Sequence, residues 1–212
     1  GSGSNGKSTL LRLLKKFLGH ENVASEPLQR LEEDRFAVAE LHGKLANLVD
    51  ELPKKSLKET SKFKQLTGGD SMTAQRKFKD PFKLENYAKQ IFATNQLPAI
   101  DDDNYAFWRR WIIFAFTRTF DEKTADVNLF SKLSTAEELS GLLNFALEGV
   151  KRLLEQKAFT ANKSTDEVRK SWIHESDPIG AFCMDIIEEA PQTDFIIKRD
   201  LYEKYRDYCI GK

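Results

Sequence analysis

The chain opens on "GSGSNGKST", and these residue types at this spacing can hold a phosphate chain. Residues 1–8 fit the pattern G-x4-G-K-[ST]. Gly1, Gly3 and Gly6 let the backbone turn its N–H groups inward onto phosphate oxygens. With Ser4, Asn5 and Thr9 they make a candidate nucleotide-binding loop. Lys7 can reach the β- and γ-phosphates, and the Ser8 hydroxyl can ligate Mg²⁺. A helix must follow, because its N-terminus completes the anion site. "TLLRLLKKFL" supplies one, with Leu10, Leu11, Leu13, Leu14, Phe17 and Leu18 at helical spacing. A Gly/Ser linker could supply "GSGS", but "NGKSTLL" is not linker composition. Such a loop normally follows a buried strand. Here the loop comes first, so the expectation is a piece of a longer protein whose leading strand is missing.

Hydrolysis of a triphosphate also needs an acid to organise the metal and a group to activate water. "LANLVDELP" offers both at the end of an apolar strand: Asp50 for the Mg²⁺ shell and Glu51 to polarise the attacking water. "KQIFATNQLP" ends a second strand at Asn95, whose amide can orient water without adding charge. In "DDDNYAFWRRWIIF", Arg109 and Arg110 stand between Trp108 and Trp111. Either arginine can stabilise charge on a transferring phosphate, from its own or a neighbouring subunit. Spacing alone does not separate that role from a basic pair stacked on tryptophan.

A cationic stretch lies between Lys54 and Lys89. It holds ten Lys or Arg against four Asp or Glu, a net of +6, within a chain of 33 basic and 33 acidic residues. Its densest part is "QRKFKDPFK". Cations interleaved with rings suit a nucleic-acid groove, where charge tracks phosphate and rings stack on bases. Lys64, Arg76, Lys77, Phe78 and Lys79 are the candidate DNA contacts.

Around these residues the pattern predicts alternating strands and helices, hence a parallel α/β sheet. The expected order is a helix after the loop, a weak strand at "ENVAS", and a helix ending near Gly43. The buried strand "LANLVD" and a helix running from "SLKETSK" to the Gly68–Gly69 stop come next. "MTAQRKFKDPFKLEN" reads as a hairpin or exposed loop. "YAKQIFATN" and "WIIFAFT" read as further buried strands, the latter covered on both faces. From about Phe120 the chain reads as helix only. Thr135 with Glu138 and Ser164 with Glu167 are capping boxes, and Asp177–Pro178 is a cap with proline in the first turn. The apolar stripes of these helices read as core. The chain therefore divides into an ATPase-like core over 1–120 and a truncated helical extension over 121–212.

Composition sets the remaining bounds. Forty per cent of residues are hydrophobic, enough for a sizeable core. No apolar run approaches the roughly 18 residues of a membrane span, and the N-terminus lacks a signal-peptide pattern. Cys183 and Cys209 show no metal or redox spacing, and they read as reduced thiols of an intracellular, cytoplasmic protein. His20, His42 and His174 are scattered and read as surface or core residues.

In order and spacing, "GSGSNGKST", "LANLVDELP", "TGGDSMTAQRKFKDPF", "IFATNQLP" and "FWRRWIIF" resemble the superfamily 3 helicases. The resemblance is closest to the primase–helicase proteins of phages, plasmids and large DNA viruses. It covers the first 120 residues or so, and the later helices resemble that family's C-terminal extension, ending in a partial winged-helix-like segment. It implies a P-loop fold related to the AAA+ ATPases, with ATP and Mg²⁺ as cofactors. It also implies DNA as partner and a ring, usually a homo-hexamer, with each ATP site at a subunit interface. Lys7, Ser8, Asp50, Glu51 and Asn95 match the family's Walker and sensor positions, and Gly68, Gly69 and Asp70 its additional motif. The segment from Arg76 to Lys79 matches the DNA-gripping hairpin, and Arg109 or Arg110 the arginine finger. Two functions are expected from this reading: an ATP-driven DNA-unwinding motor, or a DNA-binding replication or packaging module in which nucleotide only switches conformation.

Overall fold

The computed structural model describes residues 3–101, 104–160, 163–188, 190–191 and 193–211. Helix α1 (Lys7–Leu18) leads into the short strand β1 (Val23–Ala24). Helix α2 (Leu28–Glu33) and a 3-10 turn over Ala37–Leu41 then cross to β2 (Ala46–Val49). Helix α3 (Ser61–Gly68) and the antiparallel pair β3 (Ser71–Ala74) and β4 (Phe82–Glu85) separate β2 from β5 (Lys89–Phe92). Strands β1, β2 and β5 form a parallel sheet in that order. The architecture is therefore mixed α/β, with a small three-stranded parallel sheet and many helices.

Every residue of β2 is buried, because both faces of the central strand are covered. On one face Leu11 of α1, with Leu14 and Leu18 beside it, packs on Val23, Ala46, Leu48 and Ala93. On the other, Val49 and Leu52 join an aromatic cluster of Phe63, Phe107, Trp108 and Trp172. A third cluster ties the hairpin to the crossover through Ala74, Leu84, Leu31, Leu41 and Leu66.

One polar residue sits in the middle of the sheet. Asn47 is fully buried. Its Oδ1 accepts from the Glu26 N–H at 2.7 Å, and its Nδ2 donates to the Glu26 carbonyl and to Gln90 Oε1, each at 2.9 Å. It thus clamps the end of β1 to β2 and β5. Asn47→Leu leaves both Glu26 backbone groups without that partner and is expected to cost about 3 kcal/mol. Urea unfolding midpoints of the two proteins measure the loss, and an unchanged midpoint would refute the clamp.

Glu32 does for α3 what its own N-cap does not. Thr60 makes no side-chain cap, and Glu32 instead accepts from the N–H groups of Phe63 (2.7 Å) and Lys62 (3.2 Å). Burial pushes its carboxyl above the usual range, outweighing the downward pull of those N–H groups. A raised folded-state value gives a contribution to stability that is present below the unfolded value and is lost as pH rises through the folded one. Wild type is therefore expected to lose stability relative to Glu32→Gln as pH climbs out of the ordinary carboxylate range. Urea melts across that window read the difference, and a constant gap would refute it.

Four expectations fail here. "WIIFAFT" forms no strand, and Ile112 and Phe114 are exposed. A strand needs a partner along its length, and no described strand pairs with residues 111–117. β5 is only partly buried, because β2 is its one partner among the described strands. The helix expected before Gly43 is the 3-10 turn, and α3 begins at Ser61 after an irregular stretch.

The helical part runs through α4 (Tyr105–Trp108), α5 (Leu129–Leu133), α6 (Ala136–Gln156), α7 (Thr165–Ser176), α8 (Pro178–Ile186) and α9 (Lys198–Ile210). The capping box at Ser164 and Glu167 is formed, and Asp177 caps α8 ahead of Pro178. Thr135 caps α6 by accepting from the Glu138 N–H. The stripe of α6 is not core: Leu143, Leu147, Val150 and Leu154 are exposed, because the helix meets little beyond α5. The α8 stripe is divided, with Phe182 buried and Ile179, Cys183 and Ile186 exposed. Trp172 of α7, by contrast, inserts into the sheet-side aromatic cluster and donates Nε1–H to the Pro98 carbonyl at 2.8 Å. No described helix is long and apolar enough to cross a membrane.

Candidate functional site

The opening loop turns through three left-handed residues, Gly3 (φ 88°), Ser4 (φ 46°) and Gly6 (φ 88°). A Cβ on Gly3 or Gly6 would meet no atom within 4 Å, so backbone conformation rather than space favours glycine there. α1 begins immediately afterwards, with Lys7, Ser8 and Thr9 in its first turn, and Gly6 gives it no side-chain cap. The first N–H groups of a helix have no partner within it and are suited to an anion. Gly1 lies outside the described residues.

Lys7 reaches across the end of the sheet. Its Nζ donates to Asn5 Oδ1 and to Asn95 Oδ1, each at 2.9 Å. Asn5 is buried and donates Nδ2–H to the Phe116 carbonyl at 3.2 Å, and the Phe120 N–H donates to the Ser4 carbonyl at 2.8 Å. The apolar segment expected as a strand therefore lies beside the loop instead. Both acceptors on Lys7 are neutral amides, and Lys7 has no carboxylate partner among the described residues. A cation held by neutral groups keeps its charge available to an anion.

The acids lie at the same end of the sheet. Asp50 and Glu51 directly follow β2, and both are exposed. The Ala93 N–H donates to the Val49 carbonyl at 2.8 Å, and the Leu52 N–H donates to the Ala93 carbonyl at 2.9 Å. These bonds lock the acid pair against the turn that carries Asn95. Gln29, buried in α2, donates Nε2–H to the carbonyls of Pro53 (2.9 Å) and Lys55 (3.0 Å) and fixes the chain just after the acids. Lys7 and Asn95 thus touch at the end of the sheet where Asp50 and Glu51 follow β2. A glycine turn, an uncompensated ammonium, a hydroxyl and two carboxylates are a donor set that fits a magnesium–triphosphate group.

The two arginines differ. Arg109 follows α4 and is exposed. Arg110 is half-buried, and its Nη1 donates to the Ala106 carbonyl of α4. Its Nη2 lies 3.5 Å from where a Cβ on Gly68 would stand, with Asp70 Oδ2 at 3.1 Å from the same point. Arg110 therefore belongs to its own chain's Gly68–Asp70 turn.

The β3–β4 hairpin projects the cationic loop. Phe78 at its tip is 93% exposed and left-handed (φ 60°), with the Lys77 ammonium 5.1 Å from its ring centre. Arg76 folds back: its guanidinium lies 5.0 Å from the Phe82 ring centre and 3.4 Å from His42 Nδ1. Lys77, Phe78 and Lys79 form the outward group. Lys64 is half-buried on α3, apart from the hairpin loop.

Asn47, Gln29 and Glu32 support this arrangement, and sequence reasoning did not find them. A polar residue inside an apolar strand was the available signal for Asn47, while Gln29 and Glu32 carried none.

Fold and site together define a mixed α/β protein whose glycine loop reaches an amide at one end of a parallel sheet, with two acids following the central strand and a basic hairpin on the same chain. The chain belongs to the family described as a family of unknown function, DUF5906, whose model matches residues 1–110. It is 32% identical over 127 residues to an Acanthamoeba polyphaga mimivirus protein named "Putative helicase L207/L206", covering 57% of this chain and 13% of that protein. It is 28% identical over 141 residues to "Putative helicase 184R" of Invertebrate iridescent virus 6, covering 61% and 14%. Among solved structures it is similar to the apo A form of the NrS-1 C terminal region, with a TM-score of 0.57 and 17% identity over all of this chain and 52% of that one. A second structure of that region, spanning its residues 305–718, gives 0.51 and 13%. The chain thus spans a small part of the viral relatives and about half of the solved neighbour.

Proposed function

We propose that the chain is the ATP-hydrolysing core of a DNA helicase, a P-loop motor of superfamily 3 type related to the AAA+ ATPases. In a longer protein it works as a ring, a homo-hexamer, inside the cell on replicating viral, phage or plasmid DNA. The viral relatives named as helicases support this reading. The observation that carries it is the Lys7 ammonium, bonded to Asn95 beside the strand-end acids.

Magnesium-bound ATP supplies the phosphoryl group whose transfer to water drives the motor. Lys7 and the N–H groups of the loop hold the phosphates, and Ser8 and Asp50 hold the metal. Glu51 takes a proton from the attacking water, and Asn95 orients it. Arg109, exposed where Arg110 is tied down, is the arginine that reaches a neighbouring subunit's site. Lys77, Phe78 and Lys79 grip the DNA strand.

Multiple-turnover ATP hydrolysis, with and without single-stranded DNA, tests the proposal. DNA-stimulated turnover is the expected result. Tight nucleotide binding without turnover would favour the conformational switch instead.

A further inference from the structure

The flank of α1 beside its sheet-facing leucines is as distinctive as the loop that precedes it. Leu11, Leu14 and Leu18 turn to the sheet, while Arg12, Lys15, Lys16 and the following His20 line a cleft of about 450 Å³. Phe130 of α5 and Ser134 close its other wall. The Arg12 guanidinium sits over the Phe130 ring, 4.2 Å from its centre. No carboxylate lines the cleft, and none of the four basic residues has an ion-pair partner among the described residues. By contrast Lys132, on the same short helix α5, is paired with Asp126 at 2.7 Å. In a chain with equal numbers of acids and bases, this leaves a local excess of positive charge that can attract an external anion.

We propose that this cleft is a second contact for single-stranded nucleic acid, separate from the hairpin. Arg12, Lys15 and Lys16 project from the same helix over about 6 Å of its axis, so a flexible strand can set more than one phosphate against them. The half-buried Phe130 ring gives a base a surface to stack on, and the guanidinium over it adds a cation–π contact. An acidic peptide would satisfy the charge but has no use for the ring. Because α1 also begins at the glycine loop, a strand held in the cleft bears on the same helix that receives the phosphates. The proposal rests on the nucleic-acid part of the function proposed above.

Fluorescence anisotropy with a labelled single-stranded oligonucleotide tests it, titrated at several salt concentrations. The proteins compared are wild type, Arg12→Glu/Lys15→Glu/Lys16→Glu, the milder Phe130→Leu, and the hairpin variant Lys77→Glu/Lys79→Glu. The triple variant is expected to lose affinity at least about tenfold, with the salt slope shallower by about 2 for three lost phosphate contacts. Phe130→Leu is expected to weaken binding while leaving the salt slope unchanged, which guards against a triple variant that fails to fold. Affinities unchanged in both cleft variants but reduced in the hairpin variant would overturn the cleft and leave the helicase reading standing. No binding by wild type would overturn both. Displacement by polyglutamate as readily as by unlabelled oligonucleotide would mark an acidic-protein site and also overturn the proposal.

Discussion

Replacing Lys7 with alanine is expected to slow ATP turnover on the order of 10²-fold or more, and to weaken nucleotide binding with it. Lys7 touches two other members of the site, Asn5 and Asn95. Its removal takes away the positive charge of the loop without disturbing the loop's anchor, because Asn5 remains bonded to the Phe116 carbonyl and Phe120 to Ser4. The variant should therefore fold like wild type and fail in chemistry. Circular dichroism melts would read the first, and nucleotide titration with steady-state hydrolysis the second. Unchanged turnover would separate the loop from the reaction and remove the basis of the motor reading.

The parts of the molecule legible in the sequence were those in which one short segment carries its own physics. Residues 3–18 are such a segment: the glycines, the lysine and the leucine spacing specify a turn and a helix without reference to anything distant. The hairpin is another, since Asp80–Pro81 and the strand-like flanks lie within fifteen residues. Capping at Ser164 and Asp177 is equally local. What depended on distant partners was misjudged. "WIIFAFT" has the composition of a buried strand, but strand formation is a matter of pairing, and the segment lies against the loop through a bond from Asn5 to the Phe116 carbonyl. The α6 leucines have the spacing of a core helix, but spacing says only that one face is apolar and not that another surface meets it.

The candidate site shows the same division. Each candidate is read from type and neighbourhood, yet only the fold shows that Asn95 meets Lys7 across 88 positions. The residues that hold the members in place were not legible. Gln29 reads as a polar position on a short helix, and its bonds to the Pro53 and Lys55 carbonyls have no sequence signature. The distinction between Arg109 and Arg110 likewise depends on which one finds a carbonyl, and adjacent identical residues cannot reveal that.

Glu51→Gln should separate binding from chemistry. In β2, Ala46 and Leu48 face α1, and Asp50 directly follows the strand. Glu51 is one position further along, next to a turn fixed through Leu52 and Ala93. A neutral amide at 51 keeps the size of the side chain and its hydrogen-bonding oxygen but cannot accept a proton from water. Turnover is expected to fall by about 10²–10⁴-fold, the range of a lost general base, while nucleotide affinity stays near that of wild type. Asp50→Asn should differ, raising the Mg²⁺ concentration needed for turnover, because on the proposed reading it removes a metal ligand rather than a base. Measuring kcat and nucleotide dissociation constants across a Mg²⁺ series for both variants distinguishes the roles. If Glu51→Gln lost affinity and turnover together, the carboxylate would be holding the ligand, and another group would have to activate water. If it lost neither, the acid pair would be a solvated strand end, and the nearness of Asn95 to Lys7 would need a reason other than hydrolysis.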